Sequence, residues 1–382
     1  MTLEAWLLVA AIVVSVTAIT LAVLVLRSQR TLSRAAAAPQ LVQVVAAPEE
    51  EAPRGPLLAF VANPSKNGAE QLKAALLSRC AAEGLPDPIW LETTVEDPGL
   101  GQTREALERG ADVVVAVGGD GTVRAVAQGM ADSGKPMALL PVGTGNLLAR
   151  NLDISVTDRD DAFDVVLHGI DRKIDVGWLR VDEPAAPRDK DRVGNGPADT
   201  GTHIFLVIAG LGFDAAMVAD ADDALKSKVG WIAYFVAGVK HLHGRRTEMT
   251  ITLDDRSPVT TRLRSLMVGN CGRLPGGITL IPDAIIDDGI HDIAAIDTRG
   301  GLMGWVQLFG EVVMQGFGLS NDLPNKIGRI DHTRAKDVHL EVPGGEQVQV
   351  DGDVLGRARA VTTWVDPSAL LVRAPAPSLS PR

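Results

Sequence analysis

The sequence predicts an α/β domain built on a parallel sheet, then a β-rich domain, behind a single N-terminal transmembrane helix. Three observations predict this. Apolar strand runs alternate with helical runs between residues 57 and 150, the pattern of a parallel sheet with helices on both faces. After Lys173 the alternation gives way to short β-type runs such as Ile204 to Ala209, Met249 to Leu253 and Val338 to Val342. Ahead of both, Ala5 to Leu26 is an unbroken, uncharged and mostly apolar stretch.

As a helix, Ala5 to Leu26 would span roughly 33 Å at about 1.5 Å per residue, enough to cross a bilayer. Glu4 precedes the run and Arg27, Arg30 and Arg34 follow it. The positive-inside rule therefore puts the bulk of the chain in the cytoplasm, with residues 1–34 as an anchor in the inner membrane. A cleaved signal peptide is the rival reading, but it would carry a shorter apolar core behind a basic segment, and Met1-Thr-Leu-Glu4 holds no Lys or Arg. Residues 35–56, rich in Ala, Pro and Glu, read as a linker.

The first domain is expected over residues 57–172. Leu57 to Ala62 has a buried-strand pattern and runs into the turn-forming Asn63-Pro-Ser-Lys-Asn-Gly68, after which a helix is predicted over 69–83. Ile89 to Thr94, Asp112 to Val117 and Met137 to Leu140 read as further strands, with helices at 102–109 and 122–130. In such sheets the loops at the carboxyl ends of the strands form the ligand crevice. Here they are Asn63 to Gly68, Gly118 to Thr122 and Pro141 to Asn146, all rich in Gly, Ser, Thr or Asn.

The β-rich domain is expected over 173–355, followed by a return segment at 356–374 and a tail at 375–382. Helices predicted at 229–243 and 302–317 carry Trp231, Tyr234, Phe235, Trp305 and Phe309, which suit plain core or an acyl-chain slot. Residues 182–202, polar and rich in Pro, Gly and charge, read as a mobile surface insertion.

Gly118-Gly-Asp-Gly-Thr122 follows a strand and opens a helix. Its amides and the positive helix end can approach a phosphate, while Asp120 can bind Mg²⁺ or position a nucleophile. Taken alone, the same residues also suit a tight turn with an N-cap. Pro141-Val-Gly-Thr-Gly-Asn-Leu-Leu-Ala-Arg150 is a second Gly/Thr/Asn loop leading into a helix. Neither loop has the Gly-x-x-x-x-Gly-Lys-Ser/Thr pattern, and no Gly-x-Gly-x-x-Gly follows a strand, so P-loop and Rossmann sites are excluded.

Composition narrows the classes further. With 37 Lys+Arg against 48 Asp+Glu the net charge is −11, which disfavours wrapping nucleic acid. Cys80 and Cys271 stand far apart with no metal-ligand spacing, against a disulfide scaffold or a structural zinc.

These motifs, with Lys173-Ile-Asp-Val-Gly177, Gly210-Leu-Gly-Phe-Asp-Ala215, Pro282-Asp-Ala-Ile-Ile-Asp-Asp-Gly289 and Val350-Asp-Gly-Asp353, give the chain its family likeness. It resembles the diacylglycerol kinase catalytic-domain family of lipid kinases, which includes sphingosine and ceramide kinases and is distantly similar to NAD kinases and phosphofructokinases. The motifs keep the family's order from about residue 57 to 373.

The resemblance implies a phosphofructokinase/NAD kinase-like nucleotide domain, a β-rich sandwich domain for the lipid, and ATP in the cleft. ATP would be held by the amides of Gly119, Gly121 and Thr122 and the side chains of Ser65, Thr94 and Thr144. Asn63 would shape the first loop, and Gly118, Gly143, Gly145 and Asn146 would complete the ATP-binding set, with Asp120 near the phosphates and Mg²⁺. Asp351 is the base candidate. A glycine turn there would expose it together with Asp353, and a close carboxylate can raise its neighbour's pKa. Asp353 stands where the family usually has Glu, and without the resemblance the pair would read as a solvated Asp-Gly hairpin turn. Asp175 would belong to the polar network beside the base. Asp287 and Asp288, with the His291 carbonyl, resemble a structural Mg²⁺ turn.

The chain also departs from the family. Val123, Arg124 and Ala125 replace the usual Asn-Glu continuation, Leu147 stands where many diacylglycerol kinases have Asp, and Ala209 stands where Asn is common. Three functions follow: a membrane-anchored, ATP- and Mg²⁺-dependent kinase acting on diacylglycerol or a related lipid, an NAD kinase-like enzyme acting on a soluble hydroxyl, or a non-catalytic lipid- or nucleotide-binding regulator. The expected partners are the lipid and the bilayer, and a homodimer is compatible with the resemblance.

Overall fold

The computed structural model describes residues 55–66, 68–187, 196–212, 246–273, 281, 284–298 and 328–376. The expected transmembrane segment, the helices at 229–243 and 302–317, and residues 377–382 lie outside them. No helix among the described residues is long and apolar enough to cross a membrane.

Strands β1 (Leu58–Ala62), β2 (Ile89–Glu92), β3 (Val113–Gly118) and β4 (Pro136–Pro141) are parallel, in the order β2-β1-β3-β4. β1 and β3 are buried at every position, as strands covered on both faces must be. Five helices are interleaved: α1 (Ala69–Ala82), α2 (Leu100–Glu108), α3 (Asp120–Met130), α4 (Leu147–Asn151) and α5 (Arg159–His168). Successive strand residues point to opposite faces, and two neighbours in β1 show what covers each. Phe60 stacks on Phe163 of α5 at 6.4 Å, whereas Val61 and Val126 of α3 both border Gly99. On the first face Arg79 of α1 pairs with Asp160 and Asp164 of α5, at 2.9 and 2.7 Å.

Helix α3 starts at Asp120, two residues before the predicted start. Gly119 is the extended N-cap, and an acidic residue in the first turn complements the helix dipole. Asp120 and Gly121 thereby join the first turn of the helix, not the loop ahead of it.

The chain leaves this layer along β5 (Ile170–Pro184) and builds β6 (Thr202–Phe205), β7 (Ile208–Gly212), β8 (Thr247–Leu253), β9 (Val259–Leu263), β10 (Ser265–Gly269), β11 (His291–Thr298), β12 (Gly328–Ala335) and β13 (Asp337–Val350). A second core forms among these strands, with Phe205, Leu211, Met249, Val338, Leu340 and Val361 inside. The last strand, β14 (Asp353–Ala374), belongs to both layers. It pairs antiparallel with β13 and then with β5, and at Leu371 and Val372 it adds parallel to β4. The expected return of the chain is therefore a strand, and through it the fourteen strands among the described residues join one hydrogen-bonded sheet.

Two local expectations change. The apolar run Ile204 to Ala209 is broken between β6 and β7 at Leu206 and Val207, whose amides turn toward a side chain distant in sequence. The shoulders of the 182–202 insertion are pinned in place. Ala185 N and Ala198 N both donate to the Arg357 carbonyl at 2.8 and 2.9 Å, Thr362 donates to Asp182 at 2.6 Å, and Arg359 pairs with Glu183 at 3.0 Å. The buried Arg357 guanidinium adds bonds to the carbonyls of Ala186, Gly344 and Gly345. Polar composition made these shoulders look solvated because their partners lie on β14, far along the chain.

Candidate active site

Because β2, β1, β3 and β4 are parallel, the loops after them emerge at one end of the sheet. This gathers Asn63 and Ser65, Thr94, the Gly118–Thr122 turn and the 142–146 loop. Main-chain bonds set their stagger: Asn63 N donates to Val117 O, Thr93 N to Ala62 O and Val142 N to Gly118 O, at 3.0, 2.9 and 3.0 Å. Asn63 Oδ1 accepts from the amide and hydroxyl of Ser65 at 3.0 and 2.7 Å, which folds the first loop into an Asx-turn. Thr94 Oγ1 accepts the Asp97 amide at 3.0 Å. The side chains of Ser65, Thr94 and Thr144 are exposed at this edge.

The two glycine-rich loops touch backbone to backbone. A Cβ on Gly143 would lie 2.6 Å from Gly119 Cα, so only glycine permits the approach. Asp120 locks the pair. Its Oδ2 accepts the Asn146 amide at 2.9 Å and its Oδ1 accepts the Leu147 amide at 2.6 Å. Asn146 is buried in a left-handed conformation, with Oδ1 accepting from Gly143 N at 3.1 Å and Nδ2 donating to Gly143 O at 2.7 Å. Gly145 backs onto the Asp120 carboxylate, and the Thr122 side chain packs over Gly118. Burial pushes the Asp120 carboxyl above the usual range, the Leu147 amide opposes this, and the negative charge of Asp351 adds to the rise.

Asp351 comes from the other layer. Asp351 and Gly352 both have positive φ, +47° and +90°, and Val350 pairs with Asp353, as in a two-residue I′ hairpin turn. The turn is real but its first carboxylate is not solvated. Asp351 Oδ2 accepts from Leu206 N at 2.8 Å, and Oδ1 accepts from Val207 N and Ile208 N, each at 2.9 Å. Burial raises its pKa, while the Arg124 guanidinium and then these amides oppose the rise. The expected cause, a neighbouring Asp353 carboxylate exposed with it, is replaced: Asp353 points out to solvent and pairs with Arg124.

Asp175 sits one step further in. Its Oδ1 accepts from Ser368 N at 2.7 Å and its Oδ2 from Gly289 N at 2.6 Å, tying β5 to an irregularity in β14 and to the 284–290 turn. Asn270 Nδ2 donates to the carbonyls of both Asp175 and Leu206, at 2.8 and 3.2 Å, so Asp175 reaches the Asp351 network through Asn270. That asparagine carried no motif in the sequence. Of the Gly210-Leu-Gly motif, residues 210–212 lie in β7, and Phe213 onward falls outside the described residues.

The expected structural Mg²⁺ turn is held by ion pairs. Asp287 meets Arg172 at 2.7 Å and Asp288 meets Arg334 at 3.2 Å, so the two carboxylates turn to different guanidiniums instead of converging. Among the described residues there is no cluster of three or more His, Cys, Asp or Glu suited to a metal. His291 is fully buried against Phe205 with neither ring nitrogen hydrogen-bonded among the described residues, and burial lowers its pKa to about 4.

Arg124 had drawn notice only as a departure from the family pattern. It lies four residues after Asp120, on the same helix face, and donates to Val350 O at 2.7 Å as well as to Asp353. A Cβ on Gly121 would stand 3.5 Å from Asp353 Oδ2. The turn carrying Asp351 is therefore docked on the first turns of α3.

Comparison with known proteins agrees with this arrangement. Residues 58–179 match the family described as diacylglycerol kinase catalytic domain, and 207–374 match the YegS C-terminal NAD kinase beta sandwich-like domain. The chain is 30% identical over 273 residues to a diacylglycerol kinase of Mycobacterium tuberculosis, covering 71% of this chain and 79% of that one. It is 27% identical over 267 residues to a diacylglycerol kinase of Bacillus subtilis, covering 69% and 78%. The crystal structure of a diacylglycerol kinase from Bacillus anthracis superposes with a TM-score of 0.62 at 22% identity, over 85% of this chain and 98% of that one, a likeness of fold. By sequence, the chain belongs to the diacylglycerol kinase family of lipid kinases.

Proposed function

We propose that this lipid kinase uses ATP and Mg²⁺ to phosphorylate a hydroxyl of diacylglycerol or a related membrane lipid, giving a phosphatidic acid-type product. One observation carries the reading: the Asp351–Asp353 turn of the β-rich layer is docked on the first turns of α3, the helix that the Gly118–Thr122 motif opens in the parallel layer. Phosphoryl transfer needs an anion site, charge neutralisation and a base, and this juxtaposition supplies candidates for all three.

The amides of Gly121 and Thr122 lie ahead of the bond from Val123 N to Gly119 O, and Gly119 provides no side-chain cap, so they suit phosphate oxygens. Gly143, Gly145 and Asn146 hold the second loop against the first, while Ser65, Thr94 and Thr144 offer hydroxyls along the same edge. The Asp120 carboxylate accepts the Asn146, Leu147 and Asp120 amides and still has lone-pair capacity, which fits a Mg²⁺ partner acting together with substrate phosphates. Mg²⁺ bound there would offset the charge on the transferred group. Among the described residues Asp351 Oδ2 accepts a single amide, which leaves a lone pair for the proton of the attacking hydroxyl. Burial raises its proton affinity toward a useful range, and the amides hold the carboxylate still. The uncharged run at residues 5–26 suits an acceptor that stays in the bilayer.

The test is transfer of labelled γ-phosphate from ATP to micellar diacylglycerol, sphingosine, ceramide and undecaprenol, with a no-lipid control. Label on a lipid that is lost in Asp351→Asn supports the reading. Absence of label on every lipid despite ATP binding refutes it in favour of a soluble acceptor or a binding role.

A further inference from the structure

We infer that Arg124 is a positioning residue that brackets the Asp351 turn and holds it over the phosphate loop. The inference deepens the kinase reading and rests on it.

The guanidinium makes its two bonds at Val350 O and at the Asp353 carboxylate, one residue before Asp351 and two after it. Arg124 is mostly buried, whereas Asp353 is largely exposed, so the arginine is the fixed member of the pair. On the same face of α3, four residues back, Asp120 ties the helix to the second glycine loop. One helix face thus bonds in two directions, by a carboxylate within its own layer and by a guanidinium to the other layer. A planar guanidinium suits this task because its donors diverge in a fixed fork and can engage a carbonyl and a carboxylate together.

Arg124 also acts through its charge. Among the described residues, the titratable and charged groups around Asp351 are Asp120 and Arg124 from α3, Cys271 after β10, and Asp353 on its own turn. Arg124 is the cation in this set and favours the ionised form of Asp351. Geometry and charge can be separated: lysine keeps the charge and loses the fork, whereas alanine loses both.

The experiment compares wild type, Arg124→Ala, Arg124→Lys, Asp353→Asn and the Arg124→Ala/Asp353→Asn double variant. It measures kcat, KM for ATP, the pH profile of kcat/KM, and denaturant midpoints. Arg124→Ala should lower kcat on the order of tenfold to a hundredfold, with a smaller change in the KM for ATP, because a displaced base affects the chemical step. Its acidic limb should move to higher pH, since the carboxylate has lost its cation. Arg124→Lys should lower kcat while leaving that limb in place. The double variant should be less than additive in both kcat and midpoint. Wild-type transfer with unchanged kcat and pH profile in Arg124→Ala, or fully additive variants, overturns the bracket and leaves the kinase standing. If Arg124→Ala does not fold, the Arg124→Lys and Asp353→Asn arms decide in the same way. Wild type that transfers phosphate to no lipid overturns the kinase reading, and the bracket with it.

Discussion

Asp120 Oδ1 accepts the Leu147 amide at 2.6 Å, so the first turn of one helix directly holds the start of the next. The carboxylate that suits a role near phosphate is therefore also the fastener of the two glycine loops. Asp120→Ala is expected to reduce stability by about 2 kcal/mol, the scale of losing hydrogen bonds to a charged group, as well as abolishing transfer. Denaturant unfolding beside the label-transfer assay checks both; an unchanged midpoint would show that the loops hold together without it.

Gly143 lies where a methyl group would strike the Gly119 backbone. Gly143→Ala must push the loops apart, since the obstacle is main chain and not the end of a flexible side chain. The expected result is a rise of about tenfold or more in the KM for ATP, because misplacing a phosphate-binding loop by a fraction of an ångström weakens its contacts. Steady-state kinetics at varied ATP measures it, with Gly196→Ala, where an added Cβ meets nothing within 4 Å, as the control for handling.

The His291 ring is neutral, buried and without a hydrogen-bond partner among the described residues, and burial holds its pKa at about 4 against about 6.5 in the unfolded chain. Between those values the unfolded state binds more protons, so this residue's stabilising contribution is present above the unfolded pKa and lost as pH falls toward 4. Asp120 and Asp351 act in the opposite sense: their raised folded values give stability that is greatest in acid and declines as pH rises through them. Both carboxylates are retained in His291→Phe, so the difference from wild type isolates the histidine. Wild type should lose about 2 kcal/mol relative to His291→Phe between about pH 6.5 and pH 5, read from urea midpoints. Parallel pH curves would remove His291 from the balance.

Arg357 reaches the carbonyls of Ala186, Gly344 and Gly345 from a buried position. Arg357→Ala leaves those carbonyls without that partner and should free the insertion's shoulders. Limited proteolysis is expected to cut between residues 182 and 202 several-fold faster, while sites in the parallel layer are unaffected, because opening is local. Equal cleavage rates would mean that the main-chain bonds of Ala185 and Ala198 suffice.

Most of the parallel layer could be read from residue order, although α5 was not anticipated. Short, β-branched apolar runs such as Val113–Gly118 read as covered strands, and their glycine-rich ends reveal the loops, because strand burial and turn chemistry are local properties. The family motifs likewise named Asp120, Asp175 and Asp351. Their surroundings could not be foreseen, since each depends on groups brought together across long stretches of chain. Leu206 and Val207 read as the middle of one strand, and they break it because Asp351, more than 140 residues later, takes their amides. The Asp-Gly turn read as solvated because such turns commonly are, and it is docked inward because Arg124 holds it from α3. Periodicity and propensity are set by neighbours in sequence, whereas the protonation and aim of a buried carboxylate are set by whichever amides and charges the closed fold puts around it.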